Sequence, residues 1–188
     1  GYVDWREKFG NFTLDLGVNA DAEYSSFIVA NNYFPADTTM TFFALRPNVR
    51  LSYRTKSMYD LSLRYSYSTS MPSLSNMTTF RDYTEDSYSV GNSELSRSHR
   101  HSIDFTASKF FTKAGYVMLS FDSEWNNNTI SSITDMIWDD YMGRYVHFSK
   151  PYNAGSSVSQ RIMLMGNIRL GAFANLNLFG TVNHSVYE

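Results

Sequence analysis

The chain has 188 residues, with 16 basic and 18 acidic side chains, a formal net charge of −2 and no cysteine. The absence of cysteine excludes disulfide scaffolds, cysteine-ligated metal centres and thiol catalysis. The near balance of charge argues against a dedicated nucleic-acid-binding protein. No run of about 18 apolar residues occurs, so the sequence predicts no transmembrane helix.

Apolar and polar residues alternate along most of the chain, beginning with a short segment at Tyr2–Trp5 and most clearly over residues 12–24. Successive side chains of a strand point to opposite sides, so this alternation predicts two-faced strands. The segment at 12–24 is long enough to cross a bilayer, for which about 9–11 tilted residues suffice. Further strands are predicted, in chain order, over about 43–54, 59–68, 100–107, 117–126, 158–170 and 176–186.

The connections between these strands alternate between short and long. Short connections are predicted near 8–11, 55–57, 112–115 and 171–175, and long ones over about 25–39, 70–96 and 127–157. Transmembrane barrels combine short periplasmic turns with longer extracellular loops. The sequence therefore predicts an all-β antiparallel meander of about seven or eight long strands, forming part of a transmembrane β-barrel. Within the last long connection, two strands at 129–137 and 144–149 are expected to extend beyond the membrane.

The polar faces of the predicted strands carry opposed charges. Asp15, Asp21 and Glu23 lie on one strand and face the arginines of the next, and Asp122 and Glu124 precede a strand with two more arginines. Unlike charges on neighbouring strands attract each other, and a charged wall suits a watery lumen, because Arg or Lys facing lipid at the midplane costs about 2–4 kcal/mol. The wet face of an ordinary sheet is the alternative. The candidate lumen residues for substrate contact are Arg46, Arg50, Arg64, Arg161 and Arg169.

No pattern of catalytic, cofactor-binding or metal-ligating residues emerges. His99 and His101 share a strand face, but no third ligand accompanies them. Two groups of loop carboxylates are interpreted as solvated loops, since neither follows a calcium-binding loop pattern. These groups are Asp82, Glu85 and Asp86, and Asp135, Asp139 and Asp140. We therefore expect no enzyme, no cofactor and no metal site.

Counting the connections predicts that the first strand descends and the last one rises, so that both ends lie on the extracellular side. Complete barrels of this class normally keep both ends in the periplasm. The expectation is therefore that residues 1–188 are a piece of a larger barrel.

Several residues of the long connections resemble the late barrel of TonB-dependent outer-membrane receptors, particularly those of the Bacteroidetes type. They are Pro72, Leu74, the Gly91–Leu95 motif, in which Ser93 stands where the family has proline, and Tyr152–Gly155. The resemblance implies uptake of a scarce nutrient at the bacterial outer membrane. It also implies outer-membrane lipid, the rest of the barrel, a plug domain, the TonB complex acting through that plug and a surface lipoprotein as partners. No plug is recognised within 1–188.

The leading hypothesis is thus the barrel portion of a TonB-dependent nutrient receptor. The first alternative is a complete small barrel with a structural or adhesive role. The second is a soluble β-sheet domain that binds carbohydrate through exposed aromatic rings.

Overall fold

The computed structural model describes residues 1–29, 36–78, 81–84, 86–112 and 114–187. The described part of the chain contains ten strands and one short helix. The elements are β1 (Tyr2–Phe9), β2 (Phe12–Val29), β3 (Ala36–Arg54), β4 (Tyr59–Ser70), α1 (Leu74–Met77), β5 (Arg81–Tyr83), β6 (Ser87–Val90), β7 (Ser98–Phe111), β8 (Gly115–Asp139), β9 (Arg144–Leu170) and β10 (Ala174–Tyr187). Within those ranges no helix is both long and apolar enough to span a membrane.

Eight long strands form an antiparallel meander in the order β1-β2-β3-β4-β7-β8-β9-β10. This confirms the all-β antiparallel meander that the alternation predicts. Tight turns join several pairs, and Gly10 and Gly171 adopt φ values of 62° and 65° in two of them. Glycine reaches this left-handed region without steric cost, which permits such short connections.

The strands run further from the short turns than the alternation suggests. β2 and β3 stay paired as far as Val29 opposite Ala36, so the connection expected at 25–39 is much shorter than predicted, and 30–35 lies outside the described residues. β8 and β9 continue to Asp139 opposite Arg144 as one long hairpin, which confirms the two extended strands expected at 129–137 and 144–149. Pairing satisfies backbone donors and acceptors along the whole extension, so a polar sequence does not need to become a loop there.

Pro47 limits the pairing between β3 and β4. It lies opposite Val18 of β2, while the register of β3 with β4 starts only at Asn48 opposite Ser66. Proline has no N–H to donate to a ladder. The side chain of Arg46 bridges the gap, because its guanidinium donates to the backbone carbonyl of Thr69 at 3.3 Å.

The described residues of 71–97 (71–78, 81–84 and 86–97), named here the mouth segment, fold against the end of the sheet opposite the short turns. Ser73 caps α1, and β6 pairs in parallel with β9 at Ser87–Ser89. On β3, Phe42 and Ala44 are only 5 % and 2 % exposed, whereas Phe43 between them is 57 % exposed. Phe42 and Ala44 alternate in phase with Arg46 and Arg50, so the covered side is the polar face of the sheet.

Candidate functional site

One face of the sheet is an apolar band that runs across seven strands. Its central row consists of residues in direct cross-strand register: Leu14, Leu51, Leu63, Phe105, Phe121, Ile162 and Val182. These side chains are not buried by the chain itself, since Leu63 and Ile162 are 46 % and 48 % exposed. A contiguous exposed apolar surface of this kind marks contact with lipid or with another apolar partner.

Aromatic side chains border this band towards both ends of the strands. Near the short turns, the rings of Phe12 and Tyr53 lie 4.5 Å apart, and Nζ of Lys109 sits 4.1 Å from the ring centre of Tyr59. Towards the mouth, Tyr24 is exposed. Aromatic rings with one polar end favour the boundary between lipid and water, so the band has the two borders expected of a membrane-facing surface.

The opposite face carries a row of charges in the same register. From β1 to β9 the row consists of Arg6, Asp15, Arg50, Arg64, Asp104, Asp122 and Arg161. Unlike neighbours alternate with two like-charged pairs, Arg50 beside Arg64 and Asp104 beside Asp122. Like charges directly opposite each other destabilise a sheet, so the row is not arranged for stability alone.

Several charges of the polar face are neutralised by ion pairs. Asp15 pairs with Arg6 and Asp60 with Arg54. Arg46 pairs with Asp21, as the opposed charges of β2 and β3 predict, and Arg100 pairs with Glu124. Sequence reasoning missed Arg6, Asp60 and Arg100 as ion-pair partners. Their alternation in phase with the polar face was the available signal.

The five predicted arginines all lie on the polar face but are not gathered into one site. Arg50 and Arg64 are cross-strand neighbours, whereas Arg161 lies three strands further on, opposite Asp122. Arg169 lies near the short turn between β9 and β10, opposite Asn175. Their role in substrate contact stays a prediction, and Arg50 with Arg64 is the one directly adjacent pair among them.

Four cavities open on the polar face, with volumes of about 570, 340, 380 and 460 Å³. The first two adjoin, because both are lined by Arg6, Asp15 and Arg50. Small-molecule sites have volumes of about 300–1,000 Å³. The polar face therefore offers hollows of suitable size for a small ligand or for part of a larger one.

The motif residues of the long connections meet at the mouth. The side chain of Asn92 donates to the carbonyl of Pro151 at 3.1 Å, and Asn153 accepts from the backbone N–H of Ser96 at 2.8 Å. A Cβ on Gly91 would lie 2.1 Å from the carbonyl oxygen of Thr78, so only glycine fits there. These contacts fasten the mouth segment to β9, which no spacing in the sequence indicates.

The two histidines of β7 are engaged by tyrosines of β4. Nδ1 of His99 lies 2.7 Å from the hydroxyl of Tyr67, and Nδ1 of His101 lies 2.9 Å from the hydroxyl of Tyr65. Both histidines alternate in phase with Ile103, so they belong to the apolar face and not to the charged one. No group of three potential metal ligands occurs among the described residues.

The acidic groups of the long connections take part in local structure where they are described. Oδ1 of Asp139 accepts from the backbone N–H groups of Tyr141 and Met142, each at 2.9 Å, which shapes the turn between β8 and β9. Asp86 forms an ion pair with Arg144 at 3.4 Å. Glu85 lies outside the described residues.

Comparison with known proteins identifies a family and finds solved structures of similar fold. The model of the outer membrane protein beta-barrel family matches residues 1–188, and no curated protein matches the chain. The fold is similar to that of a double mutant of the Serratia marcescens hemophore receptor HasR in complex with its hemophore HasA and heme. The TM-score is 0.66 at 11 % sequence identity, and the match covers 96 % of this chain and 33 % of that one.

At this identity the likeness to HasR shows the fold alone, and the chain spans about a third of that receptor's length. The family match extends over every residue of the chain and agrees with the apolar band and the charged opposite face. It places the protein in the bacterial outer membrane, which overturns the soluble carbohydrate-binding alternative. The chain belongs to the outer membrane protein beta-barrel family.

Proposed function

We propose that the chain forms part of the barrel wall of a TonB-dependent receptor, of the Bacteroidetes type, that imports a nutrient across the outer membrane. The observation that carries the proposal is the charged polar face, with its cavities of about 340–570 Å³, lying below a mouth segment that is folded onto the same face. A wall that merely fills a membrane has no need of unneutralised charge or of hollows.

Two further observations support this proposal. The mouth segment is fastened through the residues that resemble the receptor family, Asn92 and Asn153 among them. The similar solved structure is a receptor in complex with a hemophore and heme. By analogy, the partners proposed for this protein are a plug within the same barrel, the TonB complex acting through that plug, and a surface lipoprotein that delivers the substrate.

An adhesive or structural barrel is the second candidate function. The turn between β8 and β9 exposes aromatic rings far from the apolar band, with Tyr141 at 85 %, Tyr145 at 66 % and Trp138 at 54 % exposure. Exposed rings at a tip that faces the outside suit contact with another surface. We also propose that the protein is not an enzyme, since the described histidines of β7 are bonded to tyrosines on the apolar face.

Deletion of the encoding gene separates these functions. For a receptor, the deletion strain is expected to lose high-affinity uptake of one nutrient, and a strain lacking TonB is expected to lose the same uptake while the barrel is still inserted. A plasmid copy of the gene serves as the control and restores uptake only when TonB is present. Uptake that persists in the deletion strain for every nutrient tested, together with loss of surface attachment, would overturn the receptor in favour of the adhesive barrel.

A further inference from the structure

The lining of the two adjoining cavities near the short turns carries a much larger share of positive charge than the chain as a whole. The basic basin, as we name them together, is lined by three acidic residues, Asp4, Asp15 and Asp60, against six basic ones. The whole chain has a net charge of −2, so positive charge is concentrated here. The basic residues of the basin are Arg6, Lys8, Arg50, Arg54, Lys56 and Arg64.

Internal ion pairs neutralise only part of this charge. Asp15 forms an ion pair with Arg6. Asp60 forms one with Arg54, whose Nε donates to Oδ2 of Asp60 at 2.8 Å. Within the described ranges, no carboxylate lies at ion-pair distance from the four remaining basic side chains. These four are Lys8, Arg50, Lys56 and Arg64.

Arg50 and Arg64 stand out among these four. They are direct cross-strand neighbours, a placement in which like charges repel. In addition, Nε of Arg50 is buried and has no hydrogen-bond partner among the residues that the structure describes. A buried donor on a charged group is costly when it stays unsatisfied. Arg46 lies on the same face of β3. In contrast to Arg50, its guanidinium has partners in both Asp21 and Thr69.

We propose that the basic basin binds an oxyanion, a carboxylate or phosphate group, held between Arg50 and Arg64, and hence that the imported substrate carries such a group. The inference deepens the proposed function and rests on it. Guanidinium groups match the paired oxygens of carboxylate and phosphate in a bidentate fork. An anion placed there supplies the acceptor that Nε of Arg50 lacks and removes the repulsion between the two arginines. Lys8 and Lys56, at the rim near the short turns, add an attractive field.

Titration of the purified full-length protein in a neutral detergent tests the site, with inorganic phosphate and citrate as probes and glucose as the uncharged comparison. Calorimetry at low ionic strength is expected to show binding of both anions and none of glucose. Arg50→Gln and Arg64→Gln are each expected to weaken anion binding about tenfold, the loss of one charge-assisted contact. Arg50→Lys keeps the charge but loses the fork, and is expected to fall between wild type and Arg50→Gln.

Arg100→Gln is the matched control, because Arg100 lies on the same face but is already paired with Glu124. It is expected to bind phosphate as the wild type does. Absence of anion binding in the wild type, or equal weakening by Arg50→Gln and Arg100→Gln, overturns the site, since diffuse charge alone would then explain the data. Detergent-solubilised variants that keep the heat-dependent gel shift of the wild type count as folded.

The two proposals fail in different ways. If the uptake test fails while anion binding depends on Arg50, the receptor function is wrong and the oxyanion site stands. If uptake is lost on deletion but an uncharged nutrient is the substrate, and phosphate does not bind, the site is wrong and the receptor function stands.

Discussion

Adjacent residues of one strand meet different surroundings in this protein. Leu63 belongs to the central row of the apolar band and is 46 % exposed, whereas Ser62 lies on the polar face opposite Ser52 and Thr106. A residue shift of one position exchanges the two faces of a strand. The same substitution at these two positions therefore reports which face meets lipid.

Replacing Leu63 by arginine is expected to lower the free energy of unfolding by about 2–4 kcal/mol, the cost of a cation on the lipid face near the bilayer midplane. Ser62→Arg, the matched control, places the same charge among polar groups and is expected to cost much less. Urea titration of the protein folded in lipid vesicles measures both. Equal effects of the two substitutions would mean that the apolar band does not face lipid.

At the scale of elements, the mouth segment depends on a few polar side chains. Asn153 of β9 accepts from the backbone N–H of Ser96 and donates to the carbonyls of Ser96 at 3.0 Å and Asn128 at 3.1 Å. The two hydrogen bonds with Ser96 join the mouth segment to β9, beside the parallel pairing of β6 and the bond from Asn92 to Pro151, while the bond to Asn128 holds the Asn153 side chain against β8. Substitution of Asn153 should thus weaken the closure of the segment by a measurable free energy.

We expect Asn153→Ala to open the mouth segment. Each net hydrogen bond is worth about 1 kcal/mol, so losing the two bonds to Ser96 raises the open population about thirtyfold. Limited proteolysis of intact cells checks this, because the opened segment is cut faster from outside. Asn183→Ala on β10 is the control, since the side chain of Asn183 is exposed. If both variants are cut at the wild-type rate, Asn153 does not hold the segment.

The elements differ in how far the sequence predicts them. The long strands follow from alternation alone, because one face must be apolar and the other polar wherever a wall separates lipid from water. The paired extension at Val29 and Ala36 and the fastening of Gly91 and Asn92 onto neighbouring segments do not follow. Both arise from contacts between residues far apart in sequence, which have no local period.

The sequence likewise predicts only part of the candidate site. Alternation places Arg50 and Arg64 on the polar face, but it gives no register between strands. Only the register shows that they are direct neighbours, while Arg6 and Arg54 are already paired with acids. The distinction between neutralised and free arginines, on which the oxyanion site depends, is thus a property of the folded sheet.

At the scale of the whole molecule, the two faces of the sheet meet different surroundings, lipid on the apolar face and water on the polar face. The apolar row runs unbroken from β2 to β10, and the charged row follows it from β1 to β9 on the other side. Each face is continuous because the register never slips between the long strands. The burial of apolar surface that stabilises a water-soluble domain is replaced here by contact of the apolar face with lipid.

A cysteine scan tests this arrangement directly, since the chain has no cysteine of its own. In outer-membrane vesicles, a charged water-soluble thiol reagent is expected to label Ser52→Cys and Asn183→Cys on the polar face. It should leave Leu51→Cys and Val182→Cys unlabelled until detergent replaces the lipid, because a charged reagent cannot enter the bilayer. The pairs sample β3 and β10, far apart in the sheet. Equal labelling of all four positions before detergent is added would contradict a lipid-facing band.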